Sequence, residues 1–201
     1  MLHTFVAYVE DLPGVLTRVA SLFRRLNINI NSLTVGRSER LGLSRLTLVC
    51  EASAEAGNRI RASLFKLENV VDVDYIAKDP AVTRELALIK VAASPANRSQ
   101  LFDLVEVFRA RIVDLTSESL MIEMTGVESK IEGLIQVLNE GEERILEICR
   151  SGKMTMRRGH HTSRVLRAMG AGDTELAQTG AAEADGQPEE AFLASGAAEP
   201  E

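Results

Sequence analysis

The first part of the chain alternates between strand-like and helix-like hydrophobic patterns. Apolar residues recur three and four positions apart in two stretches, which indicates amphipathic helices that pack on a sheet. Between and around them, apolar and polar residues follow the shorter period of strands. The patterns predict strands at 3–10, 28–35, 43–50 and 70–77, and helices at 15–26 and 55–67. This order, βαββαβ, is typical of a ferredoxin-like fold.

The same order of patterns begins again after Pro80. Ser94 and Pro95 are suited to begin a helix, and Gly141 is suited to end one. Strands are predicted at 85–92, 112–115, 120–125 and 145–149, and helices run through 101–108 and 127–138. The predicted fold class is therefore α+β, with two ferredoxin-like βαββαβ domains at 1–78 and 84–159. Lys78, Asp79 and Pro80 interrupt the hydrophobic pattern, which predicts a linker at 79–83.

The composition changes after Gly159. Residues 160–201 are rich in Ala, Gly, Glu and Gln, and Phe192 is the only aromatic residue among them. Such a segment cannot bury enough apolar area to offset the entropy lost on ordering, so we expect a disordered tail. It holds two Arg and eight Asp or Glu residues, which accounts for the whole net charge of −6. The remainder is neutral, which argues against a nucleic-acid-binding surface.

The sequence offers little for catalysis or metal binding. His160 and His161 are adjacent and His3 is remote, so the histidines have no metal-ligand spacing. There is neither a nucleophile and base arrangement nor a glycine-rich phosphate loop. No apolar run approaches the roughly 18 residues that span a membrane. Cys50 and Cys149 lie in apolar strand segments, and we expect them to be buried thiols of a cytoplasmic protein.

Three other features each have an ordinary structural interpretation. His3 on the first strand is expected to be an edge or packing residue rather than a general base. Asp72 and Asp74 alternate on one strand face, and this pattern favours a solvated face over a carboxylate pair or a metal site. Met154 and Met156 alternate with basic residues, which suits either a nucleic-acid-binding arm or a contact with a partner protein.

The turn from the first strand into the first helix is the main candidate for ligand binding. Pro13 is expected in the first helical turn, and Gly14 lets a ligand approach the exposed N–H groups there. A helix N-terminus favours a carboxylate by about 0.3–1 kcal/mol. We expect Asp11 and Asn29 to lie nearby as acceptors for a cationic group. The pattern thus suits a free amino acid, although a plain turn with a capping Asp explains the same residues.

Several short motifs resemble the small subunit of acetolactate synthase (acetohydroxyacid synthase). That family begins with an ACT domain, a ferredoxin-like module that binds amino acids. In the first half the matching motifs are Asp11-Leu12-Pro13-Gly14-Val15-Leu16, Asn29-Ile30-Asn31-Ser32-Leu33-Thr34-Val35 and Leu43-Ser44-Arg45-Leu46-Thr47. In the second half they are Arg84-Glu85-Leu86-Ala87-Leu88-Ile89-Lys90-Val91, Val107-Phe108-Arg109-Ala110-Arg111-Ile112-Val113-Asp114, Arg150-Ser151-Gly152 and Arg158-Gly159. The resemblance covers residues 2–159.

The resemblance implies a regulatory chain without a catalytic site of its own. It would bind the catalytic large subunit, raise its activity and confer feedback inhibition by valine or a related branched-chain amino acid. Thiamine diphosphate, Mg and FAD would belong to the large subunit, and none of them to this chain. The effector site would form where two ACT domains meet in a homodimer. The residues at matching positions are Asp11, Gly14, Val15, Leu16, Asn29 and Ile30.

A stand-alone amino-acid sensor of the ACT type, such as a transcriptional regulator, is the alternative interpretation. Such a regulator needs a DNA-binding element, commonly a helix-turn-helix segment with a basic surface. The sequence has no such segment and no basic surplus. In the context of the resemblance, Met154 and Met156 are expected to contact the large subunit.

Overall fold

The computed structural model describes residues 1–76, 80–141 and 144–159. Its first part is a four-stranded antiparallel sheet with two helices on one face. The strand order is β2-β3-β1-β4, as expected for a ferredoxin-like βαββαβ unit. The elements are β1 Leu2–Glu10, α1 Val15–Leu26, β2 Ile30–Arg37, β3 Leu43–Glu51, α2 Ala56–Phe65 and β4 Val70–Tyr75.

The second part repeats this arrangement with the strand order β6-β7-β5-β8. The α+β class with two ferredoxin-like units is therefore confirmed. A short additional strand, β9, follows the second unit and pairs with β5. The elements are β5 Ala81–Ala92, α3 Arg98–Val107, β6 Arg111–Leu115, β7 Ser119–Gly126, α4 Glu128–Glu140, β8 Ile145–Arg150 and β9 Met154–Arg157.

Each sheet buries a largely aliphatic core beneath its two helices. The helical stripes predicted from the sequence supply the facing side chains, at roughly 1.5–3 kcal/mol for each fully buried residue. The largest buried side chains of the first core are Phe5, Phe23, Leu46, Leu48, Ile60 and Leu64. Those of the second core include Ile89, Leu101, Leu120, Ile122, Met124 and Ile131.

Strand β5 begins earlier than the sequence predicts. Its first four residues, placed in the linker or just after it, pair with β9 from Ala81 opposite Arg157 to Arg84 opposite Met154. A strand of four residues is too short for its period to be recognised, and its partner lies about seventy positions away. The domain limits 1–78 and 84–159 remain predictions, and both sheets belong to one compact unit.

The face of the first sheet that points away from its helices is buried rather than solvated. Val6, Tyr8 and Val49 on this face are at most 7% exposed. Asp72 is also buried, and Asp74 forms an ion pair with Arg157 of β9 at 3.5 Å. The predicted solvated face is therefore wrong, because strand alternation shows which residues share a face but not what covers it.

The histidine and cysteine predictions have different outcomes. His3 is buried, with Nδ1 2.7 Å from the Tyr75 hydroxyl and Nε2 3.0 Å from the Ser53 carbonyl oxygen, so the packing role is confirmed. Cys50 is buried as expected, and burial raises the pKa of its thiol. Cys149 is exposed, contrary to the prediction. It lies opposite Leu88 on the face of the second sheet that points away from the helices.

Two further expectations concern the membrane and the end of the chain. Among the described ranges, no helix is both long and apolar enough to cross a membrane. The expectation of a disordered tail at 160–201 lies outside the described residues.

Candidate functional site

The candidate site is centred on the turn between β1 and α1. Gly14 is the N-cap residue of α1 and has φ +86°, in the left-handed region that L side chains rarely adopt. The helix begins at Val15, so Pro13 precedes the first helical turn and does not lie in it as predicted. The turn is anchored to the sheet because the Asp11 N–H donates to the Gly42 carbonyl oxygen at 2.8 Å.

The N-terminal end of α1 faces open space. A Cβ added to Gly14 would have no heavy atom within 4 Å. Asp11, Leu12 and Leu16 around it are exposed, whereas Val15 points into the first core. The Arg18 N–H donates to the Gly14 carbonyl oxygen at 3.1 Å. The amides of the turn before Arg18 therefore lie at an accessible helix end, where an anion is favoured.

Two polar side chains beside this turn were not singled out from the sequence. Ser44 of β3 is buried and donates from Oγ to Asp11 Oδ1 at 3.2 Å, which fixes the carboxylate next to the turn. Arg18, one turn into α1, forms an ion pair with Glu68 at 3.1 Å and also donates to Asn69. Ser44 lies within a motif that carries the family resemblance, and that was the only signal for it in the sequence.

Asn29 and Ile30 lie at the opposite end of the first sheet from Gly14. Ile30 pairs with Cys50, and Cys50 pairs with His3 near the start of β1. Gly14 instead follows the end of β1, where Glu10 pairs with Leu43. Helix α1 separates the two ends, and its twelve residues span about 18 Å. The expectation that Asn29 lies near Asp11 is therefore wrong within a single chain.

The side chains available in the described part of the chain suit a small organic ligand better than a metal ion. No group of three or more His, Cys, Asp or Glu side chains is placed there to hold a metal ion. The turn instead offers amide N–H groups and one carboxylate, Asp11, close to each other. This combination can receive the carboxylate and the ammonium group of an amino acid.

Comparison with known proteins matches both units. The family model described as an AHAS small subunit-like ACT domain matches residues 5–72. The family model described as the small subunit of acetolactate synthase matches residues 84–159.

Individual relatives are similar in sequence to this chain over most of its length. A probable acetolactate synthase small subunit of Archaeoglobus fulgidus is 44% identical over 160 residues, which is 80% of this chain and 99% of the relative. The acetolactate synthase small subunit of Mycolicibacterium smegmatis is 45% identical over 157 residues, 78% of this chain and 91% of the relative. The crystal structure of the acetolactate synthase small subunit from Thermotoga maritima superposes with a TM-score of 0.73 at 37% identity. That match covers 80% of this chain and 99% of the Thermotoga chain.

Proposed function

This chain belongs to the acetolactate synthase small-subunit family, and from that premise we propose that it activates the catalytic large subunit and confers feedback inhibition by valine. Members of the family are regulatory chains of a transferase of branched-chain amino acid biosynthesis and do not catalyse the reaction themselves. Membership implies a partnership with a large subunit. The effector, the direction of its effect and the assembly of this chain are the proposed parts.

The observation that supports an amino-acid effector is the open N-terminus of α1 above Gly14. The carboxylate of a free amino acid would accept hydrogen bonds from the first amides of the helix. Its ammonium group would be paired by Asp11, whose carboxylate is held in place by Ser44. A small aliphatic side chain such as that of valine would then contact the exposed Leu16.

The position of Asn29 supports a site shared between two copies of the chain. Within one chain, Asn29 and Gly14 lie at opposite ends of α1. A two-fold axis beside β2 would place the Asn29 end of one chain next to the Gly14 end of its partner. β2 is an edge strand with exposed apolar side chains at Leu33 and Val35, and such an edge is suited to pair with another copy. We therefore propose a homodimer through residues 1–77, with the effector bound between its ACT domains.

The location and the contact with the large subunit also remain proposals. Both cysteines, Cys50 and Cys149, are free thiols, which supports a cytoplasmic location. Met154 and Met156 of β9 are 47% and 67% exposed, which supports their predicted contact with the large subunit.

Replacing Gly14 with Asp tests the effector site. The new carboxylate would occupy the space above the helix amides and repel the carboxylate of the ligand. Loss of two charge-assisted hydrogen bonds, at roughly 1.5–3 kcal/mol each, would weaken binding about a hundredfold or more. We expect Gly14→Asp to retain stimulation of the large subunit and to lose inhibition in a valine titration of the reconstituted enzyme.

Gly14→Asn is the matched control, because the positive φ angle strains any side chain at this position. Asn has the shape of Asp and tolerates the left-handed region equally, but it carries no charge. The two variants therefore share the backbone strain and differ in the repulsion of the ligand. Inhibition that is retained in Gly14→Asn and lost in Gly14→Asp would support the proposed site. An unchanged inhibition curve in Gly14→Asp would show that valine binds elsewhere.

A further inference from the structure

Polar contacts join strand β2 of the first sheet to the segment that connects β8 and β9. Ser32 Oγ accepts a hydrogen bond from the Lys153 N–H at 2.9 Å. Thr34 Oγ1 donates to the Lys153 carbonyl oxygen at 3.1 Å and lies 3.4 Å from the Ser151 carbonyl oxygen. We call Ser32, Thr34, Gly152 and Lys153 the β2 seam. The β2 side of the seam and the 152–153 side lie more than a hundred positions apart in sequence, so the seam joins the two halves of the chain directly.

Gly152 allows β2 and the segment 151–153 to approach each other this closely. Its φ angle is +80°, and a Cβ at this position would lie 2.8 Å from Thr34 Oγ1 and 3.0 Å from Ser32 Oγ. Real Cβ atoms essentially never approach a heavy atom within 3.0 Å. Any larger residue would therefore strain its own backbone and displace the two hydroxyl oxygens from their hydrogen bonds with the segment. The two hydroxyl groups fit the main chain of 151–153 only where no side chain intervenes.

The segment on the other side of the seam is firmly attached to the second sheet. Ser151 exchanges two hydrogen bonds with the main chain of Leu86, from N–H to carbonyl oxygen at 2.9 Å and from Leu86 N–H to Ser151 Oγ at 3.0 Å. The side chain of Lys153 reaches Glu128 at the start of α4 at 2.7 Å. A displacement of β2 at the seam would therefore be passed to β5 and α4 instead of being absorbed by a loose connection.

The two ends of this connection differ in their proposed roles. β2 begins at Ile30, which lies next to Asn29 in the proposed effector site, and the seam residues Ser32 and Thr34 follow within four positions. A register shift between Ile30 and Ser32 interrupts the alternation, so that Ser32 and Thr34 face the side of the sheet opposite Ile30, where they pair with the buried Val49 and Thr47. A single short strand thus contacts the effector region with one side and the second half of the chain with the other.

We propose that the β2 seam transmits effector binding from the first ferredoxin-like unit to the second, so that it couples valine binding to inhibition of the large subunit. This inference rests on the proposed function of the Gly14 site. The seam residues position β2 relative to the second unit and do not contact the effector. Removing the seam therefore leaves the effector site in place and cuts its connection to the rest of the chain.

The double variant Ser32→Ala/Thr34→Val tests the coupling in the enzyme reconstituted with the large subunit, with L-valine as the probe. It removes both hydroxyl groups without adding bulk. We expect stimulation in the absence of valine to match wild type, and calorimetry on the small subunit alone to show unchanged valine affinity. The maximal inhibition by valine is expected to fall to about half of the wild-type value or less, because coupling and not binding is lost.

Gly152→Ala provides a second route to the same result, with Gly159→Ala as its control. Gly159 also has a positive φ angle, +72°, but a Cβ there meets no heavy atom within 4 Å. Both variants carry backbone strain, and only Gly152→Ala also displaces the hydroxyl groups of Ser32 and Thr34. We expect Gly152→Ala to lose inhibition in the same way as the double variant, and Gly159→Ala to behave as wild type.

Hydrogen exchange of the Lys153 amide gives a readout that does not require the large subunit. Its N–H donates across the seam, so valine binding to the wild-type dimer is expected to change its exchange rate. No change in that rate, or wild-type inhibition in both the double variant and Gly152→Ala, would overturn the coupling. Loss of valine affinity in the double variant would also overturn it, since the hydroxyls would then belong to the effector site. If the proposed function itself is wrong, the reconstituted wild-type enzyme will not respond to valine. This outcome is distinct from those that would overturn the coupling.

Discussion

Glu85 is a charged residue that is only 4% exposed, at the start of the part of β5 that lies in the second sheet. Arg150 of β8 donates to both carboxylate oxygens at 2.8 Å, from Nε to Oε1 and from Nη2 to Oε2. These hydrogen bonds hold the pKa of Glu85 below its ordinary value and outweigh burial, which acts to raise it. Arg150 also contacts Glu132 of α4, so one guanidinium joins two strands and a helix.

The lowered pKa predicts how the contribution of Glu85 depends on pH. A carboxylate with a lowered pKa in the folded state stabilises the protein above its unfolded pKa, about 4.3 for Glu. This stabilisation is lost as the pH falls through the folded value. We expect Glu85→Gln to lower the free energy of unfolding by about 1–3 kcal/mol near pH 7. Below the folded pKa the difference from wild type should largely vanish, as measured by urea denaturation across that pH range.

Glu132→Gln is the control for this prediction. The Glu132 side chain pairs with the same Arg150 but is 53% exposed. Exposed ion pairs contribute about 0–1 kcal/mol, so this variant should remain close to wild type at every pH. Equal losses of unfolding free energy in Glu85→Gln and Glu132→Gln would show that burial of Glu85 is not the source of the effect.

At the scale of a single element, helix α2 approaches β4 closely enough to require a glycine. A Cβ added to Gly57 would lie 2.4 Å from both Cζ and Oη of Tyr75. The ring of Tyr75 cannot move freely, because its hydroxyl is hydrogen-bonded to the buried His3 and its face is stacked on Phe5. The contact between α2 and β4 thus depends on the absence of a side chain at Gly57 and on the fixed position of the Tyr75 ring.

Gly57→Ala is expected to lower the free energy of unfolding by about 1–3 kcal/mol, as for other overpacked cores. Gly133→Ala in α4 is the matched control, since the nearest atom to its added Cβ is Phe108 Cε1 at an ordinary 3.6 Å. Without a clash, Ala in a helix is more favourable than Gly by about 0.5–1 kcal/mol. Thermal or chemical denaturation of the two variants should therefore give opposite signs, and a stable Gly57→Ala would contradict the packing described.

At the scale of the whole molecule, the two faces of the first sheet are covered in different ways. The helices cover one face, and part of the second half of the chain contacts the other through Arg157 and the main chain of Thr155. The edge strand β2 nevertheless keeps exposed apolar side chains at Leu33 and Val35. The proposed homodimer would cover this edge.

Light scattering at micromolar concentration is expected to show at least a dimer in the presence of valine. Leu33→Glu would place a charge on the proposed interface and should shift the protein toward the monomer. Val107→Glu is the control, because it makes the same kind of change at a 75% exposed site of α3 in the second unit. A monomeric wild-type protein, or dissociation by both substitutions alike, would contradict an interface at β2.

The sequence by itself determined most of the secondary structure, the repeated βαββαβ order and the residues that face the helices, but not β9 or the first residues of β5. These properties depend on local periodicity, which alternates every two residues in a strand and every 3.6 in a helix. Leu48 on its strand and Ile60 on its helix follow these periods, and both lie in the first core. The turn at Asp11 and Gly14 was also recognisable, because a glycine before an amphipathic helix is a local signal.

Only the tertiary structure decided which elements meet across the chain. Asp72 is buried because the second half of the chain covers its face. Cys149 is exposed because no described residue of the chain covers the face on which it lies. Asn29 lies far from Gly14 because β2 is antiparallel to β3, so its start lies at the opposite end of the sheet. These outcomes depend on pairings between distant residues, for which hydrophobic periodicity carries no signal.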